Sequence, residues 1–522
     1  MYSAKKYSIT KYTIIPLLLF IQLFVYGQQS PVIVWDKTFG GSGIDDPSSI
    51  QQTIDGGYII VGSTRSSDGD VSNGYNGGGD CWVVKLDQSG NKVWDKTLGG
   101  ELSDQANSIQ QTSDGGYIIA GTKEYQNGLN PDFDAWGIKL DANGSTVWEK
   151  TFGGSKWDYF LSIHQADDGG YIAAGYTHSS DGDISAGTNS NGDCWIVKLD
   201  DAGTIVWDKK IGGLGMDIAY SIQPTSDGGY VFAGLTFSDD GDISDGNNGD
   251  SDCWIVKLDQ LGNKVWDKTL GSSYEDAAFS IQQTSDGGYI FAGYVDAGDG
   301  DVSGEFNGDY DCWIVKLDQS GAKVWDKTFG GSDFDEAHSV QQTSDGGYVI
   351  AGLTYSEDGD INGRNNGELD SWILRLDGSG TKVWDKILGG SSYDGAISIQ
   401  QNIDGDYVVA CSAESNDGNI TDGNNGESDF WIVKLTEESP QAVNQINLNN
   451  DFSLFPNPTF GEVTIKTSSL KYLGKVKITD MTGKIIKQLE SNKMTLEINV
   501  SDFENGVYFI EAGHFTKKFV KK

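Results

Sequence analysis

Four short apolar or alternating runs recur along most of the chain and predict β-strands. In one unit these runs are AYSIQPT (219–225), GYVFAGLTF (229–237), CWIVKLD (253–259) and KVWDKTL (264–270). The middle two runs are almost continuously apolar, which is typical of strands covered on both faces, whereas VWDKT alternates like an outer strand with one solvated side. Glycine-containing turns separate the runs, and long stretches of helical periodicity are missing. The pattern therefore predicts an all-β protein.

The four-run unit occurs seven times. The Trp of VWDK or VWEK is found at positions 35, 94, 148, 207, 266, 325 and 384. The Trp of runs resembling WIVKLD is found at positions 82, 136, 195, 254, 313, 372 and 431. Each spacing is 59 residues except for one interval of 54 in each series. Four antiparallel strands repeated seven times predict a seven-bladed β-propeller over residues 28–438.

The two ends of the repeat array predict how the ring closes. The first unit opens with an extra VWDK strand at residues 32–39, and the last unit lacks one. We therefore expect strand 32–39 to complete the last blade, which would remove the free edges of the ring. A solenoid is the structural alternative, although a coil of this length would need capping repeats.

The N-terminus predicts a secretory signal peptide at residues 1–27. Basic residues come first, and the apolar run TIIPLLLFIQLFVYG is followed by a polar segment. A transmembrane anchor is the alternative, but the run is shorter than the roughly 20 residues that span a bilayer and contains Pro16 and Gln22. We expect no membrane span after removal of the signal.

The net charge of −39 lies almost entirely in the repeat region. Such an acidic surface repels nucleic acid and anionic lipid, so neither is expected as a partner. It suits a soluble extracellular protein that attracts cations, and we expect a monomer.

Three classes of aspartate recur in every unit and are expected to hold the blades together. In the fourth unit they are Asp217 after the GGS-type turn, Asp227 in the SDGGY turn and Asp252 before the strand Trp. Short carboxylates accept backbone amides in turns. Four of the five cysteines share one position, where the other units have Ala135, Ser371 and Phe430. Equivalent positions on separate blades are too far apart for disulfides, so we expect five unpaired thiols.

Six units carry a long acidic loop such as DGDISDGNNGDSD (240–252), and the second unit has the shorter QNGLNPDFD (126–134) instead. Alternating Asp and Asn oxygens suit a hard cation such as calcium, although the spacing is not that of an EF-hand. A run of solvated Asx-turns is the alternative. The predicted calcium ligands are Asp181, Asp183, Asp240, Asp242, Asp252, Asp299 and Asp301.

Aromatic residues on the same loops predict a ligand-binding surface, because rings can stack on sugar C–H faces while carboxylates accept from hydroxyls. The alternative is that each ring packs against its own loop. Trp157 lies outside the Trp pattern, next to the irregular second unit, which favours a single-copy site there. The candidate ligand-binding residues are Phe133, Trp157, Tyr159 and Tyr310. No catalytic residue is predicted, because the four histidines are scattered and no nucleophile motif is present.

The composition changes after a polar linker at residues 439–451. The segment at 452–522 contains FSLFPNPTFGEVTIKT, VKITDMTGKII and FENGVYFI, and it reads as a small antiparallel β-sandwich. These runs resemble the type A C-terminal sorting domain of type IX secretion cargo of Bacteroidota. The matching residues are Pro456, Asn457, Pro458, Gly483, Lys484, Gly506 and Tyr508. The resemblance implies the type IX machinery as a partner and export through the periplasm.

We therefore expect a secreted or surface-displayed propeller that acts as a binding or adhesion module for an extracellular glycan or protein. The alternative is a glycoside hydrolase resembling an endoglucanase, with paired carboxylates on the loop face.

Overall fold

The computed structural model describes residues 30–127, 130–185, 191–363, 365–437, 452–467, 473–480, 484–512 and 515–522. The predicted signal peptide (1–27) and linker (439–451) lie outside these residues. The chain divides into two compact units at residues 438 and 439. The described residues are folded into β-strands without α-helix. None of them belongs to a helix that is long and apolar enough to cross a membrane.

The first unit is a seven-bladed β-propeller, as the repeat predicts. The strands of blades 1 to 3, after β1 (Val32–Phe39), are β2 (Asp45–Gln52), β3 (Tyr58–Thr64), β4 (Asp80–Leu86), β5 (Lys92–Leu98), β6 (Asp104–Gln111), β7 (Tyr117–Asn127), β8 (Asn130–Leu140), β9 (Thr146–Phe152), β10 (Asp158–Gln165), β11 (Tyr171–Thr177), β12 (Asp193–Leu199) and β13 (Ile205–Ile211). Those of blades 4 and 5 are β14 (Asp217–Pro224), β15 (Tyr230–Thr236), β16 (Asp252–Leu258), β17 (Lys264–Leu270), β18 (Asp276–Gln283), β19 (Tyr289–Val295), β20 (Asp311–Leu317) and β21 (Lys323–Phe329). Those of blades 6 and 7 are β22 (Asp335–Gln342), β23 (Tyr348–Thr354), β24 (Asp370–Leu376), β25 (Lys382–Leu388), β26 (Asp394–Gln401), β27 (Tyr407–Ala413) and β28 (Asp429–Thr436).

The first strand of the propeller closes the ring. Blade 1 has the order β2-β3-β4-β5, and blades 2 to 6 repeat it, whereas the seventh sheet has the order β26-β27-β28-β1. β1 pairs antiparallel with β28, with Thr38 opposite Trp431. One apolar cluster then joins blade 7 to blade 1, through Ile432 and Phe430 on one side and Ile60 and Trp82 on the other.

The repeated Trp and the acidic residue of VWDK are explained by one hydrogen bond per blade. The third-strand Trp of every blade is buried. Its indole Nε1 donates to the carboxylate on the outer strand, for example from Trp254 to Asp267 at 3.3 Å. In the seventh blade the same bond runs from Trp431 to Asp36 on β1, at 3.2 Å.

Glutamine side chains link the innermost strands around the axis. Oε1 of Gln341 accepts from the backbone N–H of Gln401 in the next blade, at 2.5 Å. Gln400 makes the same bond to Gln52, across the closure of the ring. This bond is missing between blades 3 and 4. His164 of blade 3 stands where the other blades have a Gln, and Pro224 of blade 4 has no backbone N–H to donate.

All five cysteines are buried and unpaired, as predicted. The four at the shared position are packed between apolar strands, like Ala135, Ser371 and Phe430 at the same site. Burial raises the pKa of the Cys411 thiol to about 12, which further suppresses its reactivity.

We expect a thiol-specific reagent such as a maleimide to label no cysteine in the native protein. In the denatured, unreduced protein we expect it to label all five. Mass spectrometry of the labelled chain measures both numbers. A denatured count below five would show that two of the thiols are paired.

The second unit consists of two antiparallel sheets. The first has the order β29-β30-β33 and the second β32-β31-β34-β35. Their strands are β29 (Phe452–Phe455), β30 (Glu462–Thr467), β31 (Gly474–Asp480), β32 (Ile485–Ser491), β33 (Thr495–Asn499), β34 (Gly506–Ala512) and β35 (Phe515–Lys521). Val463 and Ile498 of the first sheet share one apolar core with Ile478, Ile510 and Phe519 of the second. This is the predicted β-sandwich.

Candidate functional site

Two kinds of loop meet at one end of the propeller and form what we call its loop face. Long loops join the second and third strands of a blade, and crossovers join the outer strand of one blade to the inner strand of the next. The backbone N–H of Asp242, in a long loop, donates to the carbonyl of Gly212, in a crossover, at 3.0 Å. Asp301 and Gly271 make the same bond at 2.8 Å. Each of these long loops is therefore bound to the crossover that enters its own blade.

The first aspartate of each DGD sequence fixes a crossover. Oδ1 of Asp240 accepts from the backbone N–H of Leu214 at 2.9 Å. Asp181 and Asp299 accept in the same way from Ser155 and Ser273, each at 2.8 Å. These predicted calcium ligands thus hold the backbone of the crossover.

The second aspartate of DGD binds the first crossover glycine. The backbone N–H of Gly212 donates to Oδ2 of Asp242 at 3.2 Å. The glycines that donate to Asp183 and Asp301 do so at 3.3 Å. The carboxylates of the long loop therefore replace the carbonyl acceptors that the N–H groups of the crossover would find in a sheet.

Asp252, the last predicted ligand, lies at the junction between blades 4 and 5, which we write 4/5. Its side chain is buried, and Oδ2 accepts from the N–H of Asn248 at 2.8 Å while Oδ1 has no hydrogen-bond partner. A methyl group on Gly271 would lie 2.3 Å from this Oδ1 and 2.6 Å from Oδ2 of Asp276, so both carboxylates face the same glycine. Burial, and then Asp301, raise the pKa of Asp252 to about 6, and burial raises that of Asp276 to about 7.

The unpartnered carboxylate oxygen recurs around the ring. The aspartates at the position of Asp252 that also have one are Asp80, Asp193, Asp311, Asp370 and Asp429. A buried carboxylate without a partner is costly, so these groups favour a proton or a nearby positive charge. The sequence correctly predicts that these aspartates are structural. It does not predict that each is buried with a carboxylate oxygen that lacks a hydrogen-bond partner.

At two junctions a lysine acts on the buried carboxylates. At junction 3/4, Nζ of Lys210 lies 3.1 Å from Oδ2 of Asp193, and both side chains are at least 95% buried. At junction 1/2, burial raises the pKa of Asp80 and of Asp104. The positive charge of Lys123 acts in the opposite direction and lowers both pKa values. Lys210 stands where the fourth blade has Thr269. The chain itself thus supplies a positive charge to these two carboxylate pairs.

The predicted fourth-blade trio does not share one crossover. Asp240 and Asp242 contact the crossover into blade 4, whereas Asp252 faces the crossover into blade 5. In the part of the chain that the structure describes, no three His, Cys, Asp or Glu side chains are placed to hold a metal ion. Calcium binding stays a prediction.

Aromatic rings gather at junction 2/3. Phe133 lies in β8 of blade 2, and Trp157 and Tyr159 flank the first residue of β10 in blade 3. Tyr176 and His178 flank the last residue of β11 in the same blade. The Phe133 and Trp157 ring centroids lie 6.0 Å apart, and Tyr159 stacks on Tyr176 at 4.5 Å. The structure therefore brings together three of the four predicted ligand-binding residues, and Trp157 is 47% exposed.

The same five repeat positions form a second aromatic set at junction 5/6. There they hold Tyr310, Phe334, Glu336, Leu353 and Tyr355. The Tyr310 and Phe334 rings meet edge to face at 4.9 Å, and Phe334 and Tyr355 lie 6.2 Å apart. These five residues, with Asp333 and Leu369, line a cavity of about 680 Å³. Tyr310, the fourth predicted residue, thus belongs to a separate but equivalent set.

Junction 7/1 has the same backbone with polar side chains. Its five positions hold Ser428, Ile44, Asp46, Ser63 and Arg65. Three of them, Ser428, Ile44 and Asp46, line a cavity of about 780 Å³ together with Ser412 and Glu414 of blade 7. Asp46 accepts from the hydroxyls of Ser412 and Ser428 at 2.6 and 2.7 Å. The recurring residues therefore hold a common frame, and the five variable positions determine the chemistry of each junction.

The residues predicted to form the sorting signal stabilise the C-terminal sandwich. Asn457, between Pro456 and Pro458, donates to the carbonyl of Lys518 at 3.0 Å and accepts from the N–H of Val520 at 2.9 Å. Gly506 begins β34. The backbone N–H of Lys484 donates to Asp480 at 3.1 Å, and the hydroxyl of Tyr508 donates to the carbonyl of Glu504 at 2.8 Å. Gly483 lies outside the described residues.

Residues 453–522 match the family described as a secretion system C-terminal sorting domain. This match confirms the predicted sorting domain, and the chain is a type IX secretion cargo that is exported to the cell surface or the extracellular space. A stretch of 222 residues, 40% of the chain, is 27% identical to the regulatory protein FlaEY of Caulobacter vibrioides. The match spans 23% of the length of that relative.

Two solved structures are also similar to the chain at low identity. The WD40 domain of Neurospora crassa Pan2 is 9% identical with a TM-score of 0.41, and the match covers 74% of this chain and 89% of that one. PorZ of Porphyromonas gingivalis, described as a surface component of the type IX secretion system, is 12% identical with a TM-score of 0.39. That match covers 93% of this chain and 60% of PorZ.

Proposed function

We propose that the propeller is a binding module that holds an extracellular glycan on its loop face. The observation that carries this proposal is the pair of aromatic sets at junctions 2/3 and 5/6, built at equivalent positions of otherwise similar repeats. Packing needs do not explain these rings, because junction 7/1 keeps the same backbone with two serines, an aspartate and an arginine at four of those positions. Partly exposed rings beside polar groups suit sugars, which present C–H faces and hydroxyls together.

Export supports this function. A sorted cargo meets polymers and proteins outside the cell, and a rigid ring with exchangeable junction residues can present a binding surface there. Two equivalent sets on one ring also permit a polymer to engage both, which strengthens binding without new contacts. The hydrolase alternative needs paired carboxylates free to act on the loop face, and the DGD carboxylates there are bonded to backbone amides of the crossovers. Binding is therefore the better supported function.

The test is a glycan array probed with residues 28–438 and with three single variants. Trp157→Ala and Phe334→Ala remove a partly exposed ring from each aromatic set, and Ile44→Ala is the control because Ile44 occupies the same repeat position at junction 7/1. Binding is expected to fall at least tenfold in one or both aromatic variants and to be unchanged in the control. Unchanged binding in both aromatic variants, or capture of a protein with no glycan bound, contradicts the proposal.

A further inference from the structure

The cavity at junction 5/6 combines aromatic walls with negative charge. Tyr310, Phe334 and Tyr355 supply three rings, and Asp333 and Glu336 supply two carboxylates. Neither lysine nor arginine is among the described residues that line it. Glu336 is held in place by a 3.0 Å contact with His338 and remains 24% exposed, so its carboxylate can reach a ligand.

The raised pKa values of two tyrosines indicate a negative electrostatic potential in the cavity. Burial raises the pKa of Tyr310, and Asp296, Glu275 and Glu336 raise it further. Burial also raises the pKa of Tyr355, with Glu336 and Glu368 adding to it. Charges that oppose loss of a phenol proton also favour a cation at the same place.

The arrangement of the rings adds to this preference. Tyr310 meets Phe334 at 86° between ring planes, and Phe334 meets Tyr355 at 68°. Because the face of an aromatic ring attracts a cation, rings in the wall of a cavity favour a positively charged ligand. Phe334 and Tyr355 are 39% and 36% exposed, which leaves these rings open to a ligand.

We propose that this cavity binds an amino sugar through its ammonium group. This inference rests on the proposed function, because it names the class of glycan that the loop face takes. The pyranose ring lies against Phe334, and the ammonium group donates to Glu336. A cavity of about 680 Å³ is large enough for one or two sugar rings. Junction 2/3 has Tyr159 where junction 5/6 has Glu336, so selectivity for positive charge belongs to junction 5/6.

Two oligosaccharides that differ only at the 2-amino group, which is free and charged in one and acetylated and neutral in the other, test the inference. Titration calorimetry with residues 28–438 compares a glucosamine hexamer with an N-acetylglucosamine hexamer, at a pH where the free amines are protonated. The glucosamine hexamer is expected to bind at least tenfold more tightly, with an affinity that falls as salt is added. Glu336→Gln is expected to remove most of that preference, and Asp46→Asn, at the same position of junction 7/1, is expected to leave it unchanged.

Each outcome distinguishes this inference from the proposed function. Equal binding of both hexamers contradicts the charge preference and leaves glycan binding intact. If neither hexamer binds while the array shows another glycan, the amino-sugar assignment is wrong. If no glycan binds in either experiment, both proposals fail. A hexalysine peptide that binds as tightly as the glucosamine hexamer, and that also depends on Glu336, shows that the cavity recognises ammonium groups without a sugar.

Discussion

We expect the propeller to unfold at a higher temperature at pH 5 than at pH 8, by about 5–10 °C. The cause is the set of buried junction carboxylates, whose pKa is raised to about 6 in Asp252 and to about 7 in Asp276, Asp311 and Asp370. Since these values lie above those of the unfolded chain, the folded state binds more protons between roughly pH 4 and pH 7. The stability that these groups contribute is present at low pH and is lost as the pH rises through 6 to 7.

A second set of aspartates limits the effect on the acid side. Lys139, Lys257 and Lys316 contact the turn aspartates and help to lower the pKa of Asp114, Asp227 and Asp286 to about 2, against the opposing effect of burial. The stability from these pairs is present above roughly pH 4 and is lost below it. The optimum should therefore fall near pH 5. Calorimetric melts of residues 28–438 from pH 4 to pH 8 measure it, and a melting temperature that rises steadily toward pH 8 would contradict the assignment.

Thr269→Lys is the variant that isolates the cause. It copies into junction 4/5 the residue that blade 3 has at the same position, where Lys210 lies 3.1 Å from Asp193. A lysine beside Asp252 is expected to raise the melting temperature at pH 8 and to reduce its dependence on pH. Thr97→Lys, which makes the same change at junction 1/2 beside the existing Lys123, is the matched control and should give a smaller gain.

The same melts test calcium. If the ion neutralises the junction carboxylates, millimolar calcium should raise the melting temperature at pH 8 more than at pH 5, because protons compete for the same oxygens. An equal melting temperature with calcium and with a chelator at pH 8 would contradict the sequence prediction of a calcium site.

Gly331→Ala is expected to lower the free energy of unfolding by about 3 kcal/mol, near the upper end of what overpacking costs. The added methyl group would lie 2.6 Å from the carbonyl oxygen and from Oδ1 of Asp358, in the long loop of blade 6. A backbone atom cannot move away without breaking the bond that Asp358 accepts from Ser332 at 2.8 Å. The variant therefore separates the long loop from its crossover.

Gly100→Ala is the matched control. Gly100 occupies the same repeat position at the entry to blade 2, which has no DGD loop, and its nearest atom would be Oδ2 of Asp104 at 3.8 Å. Its stability should change by less than about 0.5 kcal/mol. Urea denaturation measures both variants. Equal losses would show that the glycine is needed for its backbone and not for contact with the long loop.

The architecture could be predicted from the sequence because its determinants recur with the repeat. Each blade needs one buried Trp, one acidic partner on the outer strand and glycines at its turns, so the period reveals the blade. The closing role of β1 also follows from the pattern, since an extra strand at one end matches a missing strand at the other.

The junction chemistry could not be predicted in the same way. Proximity in sequence places Asp240, Asp242 and Asp252 in one predicted set of calcium ligands, but the blade geometry assigns Asp252 to a partner in the next repeat. The two aromatic sets do carry a sequence signal. Phe133 and Tyr310 stand immediately before equivalent aspartates, as do Trp157 and Phe334, and an alignment of the seven units by column shows both pairs.

Closure by β1 also determines when the propeller can finish folding. Blades 1 to 6 form from consecutive strands, but the bond between Asp36 and Trp431 joins residues 395 positions apart. The seventh blade must therefore wait for the whole repeat array, which makes ring closure a late and slow step. Until then β28 has an unpaired edge that fits β1 of any copy of the chain. Two partly folded molecules can exchange this strand, so crowded export intermediates are exposed to strand-swapped dimerisation at this one blade.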